Sequence, residues 1–171
     1  LASGFCPSEV YPNSMFSDLC LLKQGIQVPV WGTAYDGDRV TVTLQQQTVS
    51  TVAKNRRWTL QLKALRPGGP FEMTIRGQNT VVIRNILVGE VWACSGQSNM
   101  ELPVSACDRA KEELATSANP MIHLLRIRRL GTDQPEQDAG ATWKNSGPDS
   151  AANFSGVCYF FGRDLEKALH V

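Results

Sequence analysis

Between residues 28 and 88 the apolar and polar positions alternate with a period of two. The runs "VPVWG" (28–32), "RVTVTL" (39–44), "RWTLQL" (57–62), "FEMTI" (71–75) and "TVVIRNILV" (80–88) are rich in β-branched and aromatic residues. In "RWTLQL", Trp58, Leu60 and Leu62 share one side and Arg57, Thr59 and Gln61 the other, the signature of a strand half buried against a core. Turn chemistry separates the runs. "DGD" (36–38) and "RPGGP" (66–70) supply glycines for positive φ and prolines for fixed φ. Short strands at about 8–12-residue spacing predict an antiparallel β-sandwich over residues 13–86, after an N-terminal segment 1–12. Trp31 and Trp58 are its candidate exposed aromatics, but both fit their strand cores equally well, and core is the favoured reading. No cluster of charged residues or histidines builds up inside it, so it reads as a structural or docking module.

After residue 88 the period lengthens. "SACDRAKEELATSAN" (105–119) predicts a helix, with Ser105 and Asp108 as a capping-box-like pair and Ala106, Ala110, Leu114 and Ala118 recurring every fourth residue. Pro120 prevents its continuation. "MIHLLRIRRL" (121–130) predicts one more strand. A polar loop from residue 131 to about 152 follows, with Trp143 as its large apolar anchor. A second helix over 155–170, capped by Ser155, carries Val157, Phe161, Leu165 and Ala168 on one face. Lys167 and His170 suit its negative C-terminal end. Strand, helix, strand, loop and helix make the beginning of an α/β layer over residues 87–171. About 85 residues do not complete a doubly wound domain, so the reading expects a fragment or one piece of a larger protein, with apolar surface left open around residues 157–165.

Composition narrows the classes. The 171 residues are 42% hydrophobic and 19% charged, which is globular, and the net charge of +1 gives no pull toward nucleic acid. Arg126 and Arg128 alternate with apolar neighbours, as on a solvated strand face. No apolar run reaches the length of a membrane span, and the first ten residues lack the regions of a signal peptide. The five cysteines (Cys6, Cys20, Cys94, Cys107, Cys158) show no zinc-ligand spacing. Cys94 closes a buried-looking strand and Cys158 lies in an apolar helical pattern, so both read as core thiols, which leaves Cys6, Cys20 and Cys107 freer to pair. Asn153-Phe154-Ser155 is a formal glycosylation sequon, although Ser155 also reads as a helix cap.

The stretch "CSGQSNM" (94–100) is where chemistry concentrates. A serine nucleophile needs a base for its proton and donors for the oxyanion, and a strand tip entering a helix offers the donors. Gly96 provides a turn without a Cβ. Ser98, the first serine beyond that turn, is favoured over Ser95, with its own backbone N–H as an oxyanion donor. Gln97 and Asn99 are placed to orient substrate or brace the turn. A plain N-cap role for Ser98 is the competing reading. Met100 stands where a G-x-S-x-G elbow needs glycine, so a lipase-type α/β-hydrolase is disfavoured.

The longer block "VGEVWACSGQSNMELPV" (88–104) resembles the nucleophile block of the sialate O-acetylesterase family, within the wider GDSL/SGNH hydrolases, with Gly-Gln-Ser-Asn in place of Gly-Asp-Ser-Leu. The segments "LCLLKQGIQVPVWGTAYDGDRVTV" (19–42), "LRPGGPFEMTI" (65–75) and "FSGVCYFFGRDLEKAL" (154–169) are similar to family segments too. The resemblance implies a β-sandwich followed by a flavodoxin-like α/β hydrolase domain. It implies removal of O-acetyl groups from sialic acids through an acyl-enzyme on Ser98, with no cofactor or metal. It also implies a second oxyanion glycine, an oxyanion asparagine and an Asp/His pair from later in the chain. None of these occurs here. His123 and His170 do not match the family's catalytic position, so this chain alone is expected to be inactive, its partner being the C-terminal half of the same precursor, as a second chain or a missing segment. Acetylated plant polysaccharide of the xylan type is the rival substrate, and a non-catalytic carbohydrate-binding or interaction fragment the rival class. The resemblance leans toward a secreted, lysosomal or periplasmic setting.

Overall fold

In the computed structural model, which describes residues 9–127, 131, 133–138 and 140–170, strand register follows the alternation. Eight strands come first: β1 (Tyr11–Pro12), β2 (Leu21–Lys23), β3 (Val28–Thr33), β4 (Arg39–Leu44), β5 (Gln47–Val52), β6 (Arg57–Leu62), β7 (Gly68–Arg76) and β8 (Thr80–Gly89). They form a three-stranded sheet in the order β1-β3-β6 and a five-stranded sheet in the order β2-β8-β7-β4-β5. Every pairing is antiparallel except β2 with β8.

One apolar core joins the two sheets. Val28, Val30, Trp58, Leu60 and Leu62 enter it from one sheet, and Val40, Val42, Leu44, Met73, Ile75, Ile86 and Val88 from the other. Each such side chain contributes about 1.5–3 kcal/mol by leaving water. Period-two burial sends the intervening residues outward, and this corrects one candidate. Trp58 is core at 2% exposure, but Trp31 falls on the outer face at 37%, where Phe16 meets it edge-on at 4.7 Å. At Gly32 the short strand β1 crosses so closely that a Cβ would sit 2.1 Å from the Tyr11 carbonyl oxygen.

Beyond β8 come α1 (Ser98–Glu101), a 3₁₀ turn (Val104–Ala106), α2 (Ala110–Ala115), β9 (Asn119–Leu125), β10 (Trp143–Ser146), α3 (Pro148–Ala152) and α4 (Gly156–Leu169). The architecture is thus mixed β-sheets with a few short helices. Four expectations change here. The strand does not run on to Cys94: β2 stops pairing at Lys23 opposite Gly89, no further strand among the described residues supplies partners, and residues 90–97 are irregular. The helix expected over 105–119 shrinks to α2, because Cys107 is extended and Arg109 takes a left-handed backbone (φ 54°). The Ser105/Asp108 capping pair accordingly does not form, and Arg109 occupies the N-cap. The loop expected over 131–152 holds β10, paired antiparallel with β9, and α3, which starts with proline at its first turn.

Two other expectations hold. Trp143 is the buried anchor of its segment and belongs to the core of the two sheets. Ser155 caps α4, its hydroxyl accepting the Cys158 N–H at 3.4 Å. Against β9 and α3, a second small core gathers Val104, Leu124, Ala151 and Tyr159. Val157 and Phe161 on α4 stay exposed, as the open face predicts. No helix among the described residues is long and apolar enough to cross a membrane. Cys6 and Arg128 lie outside the described residues.

Candidate active site

Ser98 is the first residue of the four-residue α1, and its side chain is exposed, as are Ser95, Gly96, Gln97 and Asn99. The N-cap position belongs to Gln97, and its side chain makes no capping hydrogen bond. Ser98 is therefore not the cap of this helix, which removes the competing structural role for its hydroxyl. Gln97 instead closes the turn by its backbone, its carbonyl accepting the Met100 N–H at 2.9 Å. Gly96 is required for space: a Cβ there would lie 2.6 Å from Met100 Cγ, so the methionine stem lies directly against the glycine.

Upstream, the segment is anchored by charge. The Glu90 carboxylate accepts from Lys23 Nζ at 2.5 Å and from Gln24 Nε2 at 2.9 Å. These two bonds hold its pKa below the usual carboxylate value. Trp92 and Phe161 meet edge-on at 5.1 Å, tying the segment to α4.

The covalent anchor is Cys94. It forms a disulfide with Cys158, Cα to Cα 5.9 Å, across 64 positions of sequence. This corrects the reading of both cysteines as core thiols. Cys94 is exposed because the strand has already ended, and Cys158 occupies the first turn of α4 facing it. Cys20 and Cys107, thought freer to pair, are the free thiols among the described residues. Burial, assisted by the charge of Asp18, pushes the Cys20 thiol up to about 12, so it carries almost no thiolate.

Behind this segment lies a groove of about 790 Å³ between residues 90–94, β9 and α4, with Trp92, Met100, His123, Tyr159 and Phe161 in its wall. The α4 side is rigid. Arg163 Nη1 reaches Glu113 Oε1 at 2.7 Å, and the Tyr159 hydroxyl donates to the same oxygen at 3.0 Å, which joins α2 to α4.

Among the described residues, no hydrogen bond joins either histidine to Ser98. His123 is 8% exposed on β9 with Nδ1 unpartnered, and burial pulls its pKa below the ordinary value against backbone groups at Leu19 and Pro120. A neutral, buried imidazole at that position is a wall of the groove. His170 is the left-handed C-cap of α4, its backbone N–H bonded to the Glu166 carbonyl. Among the described residues, no hydrogen bond engages the Ser98 hydroxyl or its N–H, and no group of three His, Cys, Asp or Glu side chains is placed to hold a metal ion.

Comparison with known proteins places these features. No protein-family model matches the chain. It is 33% identical over 174 residues to the sialate O-acetylesterase of Homo sapiens, covering 90% of this chain and 33% of that protein. The Pongo abelii sialate O-acetylesterase matches at the same identity and coverage. The Mus musculus sialate O-acetylesterase is 31% identical over 172 residues, covering 88% and 32%. Among solved structures, a carbohydrate acetylesterase from Xanthomonas citri superposes with a TM-score of 0.92 at 25% identity, covering 95% of this chain and 38% of that one. The chain thus spans about a third of the length of the curated relatives it matches. The resemblance carried by the serine block extends to nearly the whole sequence and to its fold, and the chain is a relative of the sialate O-acetylesterases.

Proposed function

We propose that this chain supplies the nucleophile of a carbohydrate O-acetylesterase, and that Ser98 is that nucleophile. The observation that carries the reading is the position of Ser98. It heads α1 with an exposed hydroxyl and no capping role, on a segment held by the Cys94–Cys158 disulfide. Residues 13–86 are then the β-sandwich, and residues 87–171 the first part of an SGNH-type α/β hydrolase domain. The relatives' names support ester hydrolysis on carbohydrates, with O-acetylated sialic acid as the leading substrate.

In this reading, Ser98 Oγ attacks the acetyl carbonyl carbon while a base takes its proton. The Ser98 N–H faces the oxyanion, and Gln97 and Asn99 flank the sugar. The carbonyl–sugar oxygen bond breaks as that oxygen takes the proton from the base and leaves as a hydroxyl. Water, giving its proton to the base, then attacks the acyl carbon, and acetate leaves as Ser98 Oγ recovers the proton. The base is not among this chain's histidines, so it comes from the C-terminal half of the precursor. The disulfide supports an oxidising compartment, secreted, lysosomal or periplasmic, and the exposed Asn153 supports a glycoprotein.

Fluorophosphonate labelling tests this directly. The full-length protein is expected to label at Ser98 and release acetate from acetylated sialic acid, while Ser98→Ala does neither and the isolated chain labels poorly. Unimpaired acetate release by the Ser98→Ala protein would refute the assignment. Faster release from acetylated xylan than from acetylated sialic acid would move the substrate to plant polysaccharide.

A further inference from the structure

We propose that the Cys94–Cys158 disulfide is a positioning element for Ser98, and that a dithiol reductant acting on it unseats the nucleophile without unfolding the protein. The inference rests on the assignment of Ser98 above and goes beyond it. Residues 90–97 have no strand partner, so backbone hydrogen bonding does not fix their path. Non-covalent anchors stand at the two ends. Glu90 is held by Lys23 and Gln24, and Leu102 by its carbonyl, which accepts the Gly156 N–H at 2.8 Å.

Between those ends the chain has twelve steps of freedom by residue number, and Cys94 divides them into four and eight. Ser98 is four residues beyond Cys94 and so stays within about 14 Å of it even fully extended. The disulfide sets that leash on α4, whose own place is fixed by buried Tyr159 and the Arg163–Glu113 pair. Without the bond, the Trp92–Phe161 edge contact at 57% and 43% exposure and the packing of the short α1 beside α4 remain, and neither is covalent nor buried in a core.

The exchange chemistry favours attack at Cys94, which is exposed while Cys158 is half-buried in the helix turn. A reductant thiolate forms a bond to Cys94 Sγ, the Cys94–Cys158 bond breaks, and the electron pair leaves on Cys158 sulfur, which takes a proton. The reductant's second thiol, as thiolate, then attacks its own sulfur in the mixed disulfide. Cys94 leaves as a thiol after protonation, and the reductant ends oxidised as an internal disulfide. The free thiols of the described residues do not compete. Cys20 is fully buried, and Cys107 Sγ donates to the Pro103 carbonyl at 3.5 Å.

The test uses the full-length protein, oxidised, reduced with dithiothreitol and alkylated, and reoxidised without alkylation, together with the Cys94→Ser/Cys158→Ser variant. Amide hydrogen exchange of the peptide covering residues 90–101 and fluorophosphonate labelling of Ser98 are read in parallel. Reduction is expected to speed exchange in that peptide at least tenfold and to slow labelling about tenfold, with β3 and β6 peptides still protected and both changes reversed by reoxidation. Unchanged exchange and labelling in the reduced protein would overturn the proposal. Loss of protection throughout would also overturn it, because the bond would then be a staple of the whole fold. Failure of the double serine variant to fold leaves the reduction and reoxidation cycle as the deciding measurement. Absence of labelling in the oxidised protein would count against the nucleophile assignment, while the exchange data still decide the tether.

Discussion

Trp143 donates its indole N–H to the Met15 carbonyl oxygen at 2.9 Å, a bond that joins positions 128 apart in sequence. The tryptophan sits on β10 yet belongs to the core of the two sheets, so it fastens the ribbon β9–β10 to the body formed by the first eight strands. Trp143→Ala is expected to cost about 3–5 kcal/mol, the usual loss for emptying a large aromatic site. Trp143→Phe keeps most of the ring and removes the donor, and is expected to cost nearer 1 kcal/mol plus the unmatched volume. Urea unfolding of both variants separates the terms. Equal losses would mean that the hydrogen bond carries the link and the ring does not.

The Glu113–Arg163–Tyr159 cluster makes stability depend on pH. Burial alone would raise the Glu113 pKa, but the hydrogen bonds from Arg163 and Tyr159, with the charges of Arg163 and Lys167, outweigh it and hold the carboxyl below its ordinary value of 4.5. A depressed folded pKa contributes stability that is complete above the unfolded value and is lost as pH falls through the folded one. Thermal scans should therefore show wild type losing stability below about pH 4.5 more steeply than Glu113→Gln, with the two curves parallel from pH 6 to 8. At neutral pH, Glu113→Gln is expected to cost about 1–2 kcal/mol, because Arg163 loses its charged acceptor. Parallel curves throughout would remove the cluster from the acid response.

Local alternation was enough to place the strands. Val28 and Val30, or Trp58, Leu60 and Leu62, are read correctly because a strand's two faces depend only on neighbours in sequence. Trp31 obeys the same alternation, which turns it outward between buried Val30 and Gly32; its aromatic size suggested a core place, and its edge-on neighbour Phe16 comes from a loop that the alternation does not describe. The disulfide escaped for a similar reason. Cys94 and Cys158 both lie among apolar residues, and their pairing depends on where β8 ends, which is set by the length of its partner β2. Helix α2 was overextended because its every-fourth-residue alanines carry little driving force, and the burial of Val104 together with the left-handed backbone of Arg109 sets its start. The place of Ser98 at the start of a helix was legible from its motif. The Cys94–Cys158 disulfide four residues before it was not.

The exposed rim of the groove should be visible to a probe. Trp92, Phe161 and Ile127 are each between 43% and 58% exposed around one concave surface, and Val157 on α4 is 51% exposed outside its lining. The isolated chain is expected to enhance the fluorescence of an anilinonaphthalene dye and to self-associate at high concentration. Val157→Lys with Phe161→Glu should reduce both without lowering the unfolding midpoint, since neither side chain is in a core. A monodisperse wild-type chain with no dye response would show that the groove is closed in solution.

Gly96 and Met100 offer a sharper probe of the serine block, because their contact can be broken from either side. Alanine at Gly96 would bring a Cβ to 2.6 Å from Met100 Cγ and 3.5 Å from its Cβ, so the methionine stem or the turn has to move. The strain expected from such overpacking is about 1–3 kcal/mol. Its functional mark is a displaced α1, and with it a slower reaction of Ser98 with fluorophosphonate in the full-length protein. Met100→Ala deletes Cγ and should by itself change labelling little. Combining the two should restore labelling toward wild type, giving a favourable coupling of about 0.5–3 kcal/mol in the double-mutant cycle. Additive losses would mean that Gly96 acts through backbone freedom instead. They would also shift the geometric account of this turn away from the Met100 side chain.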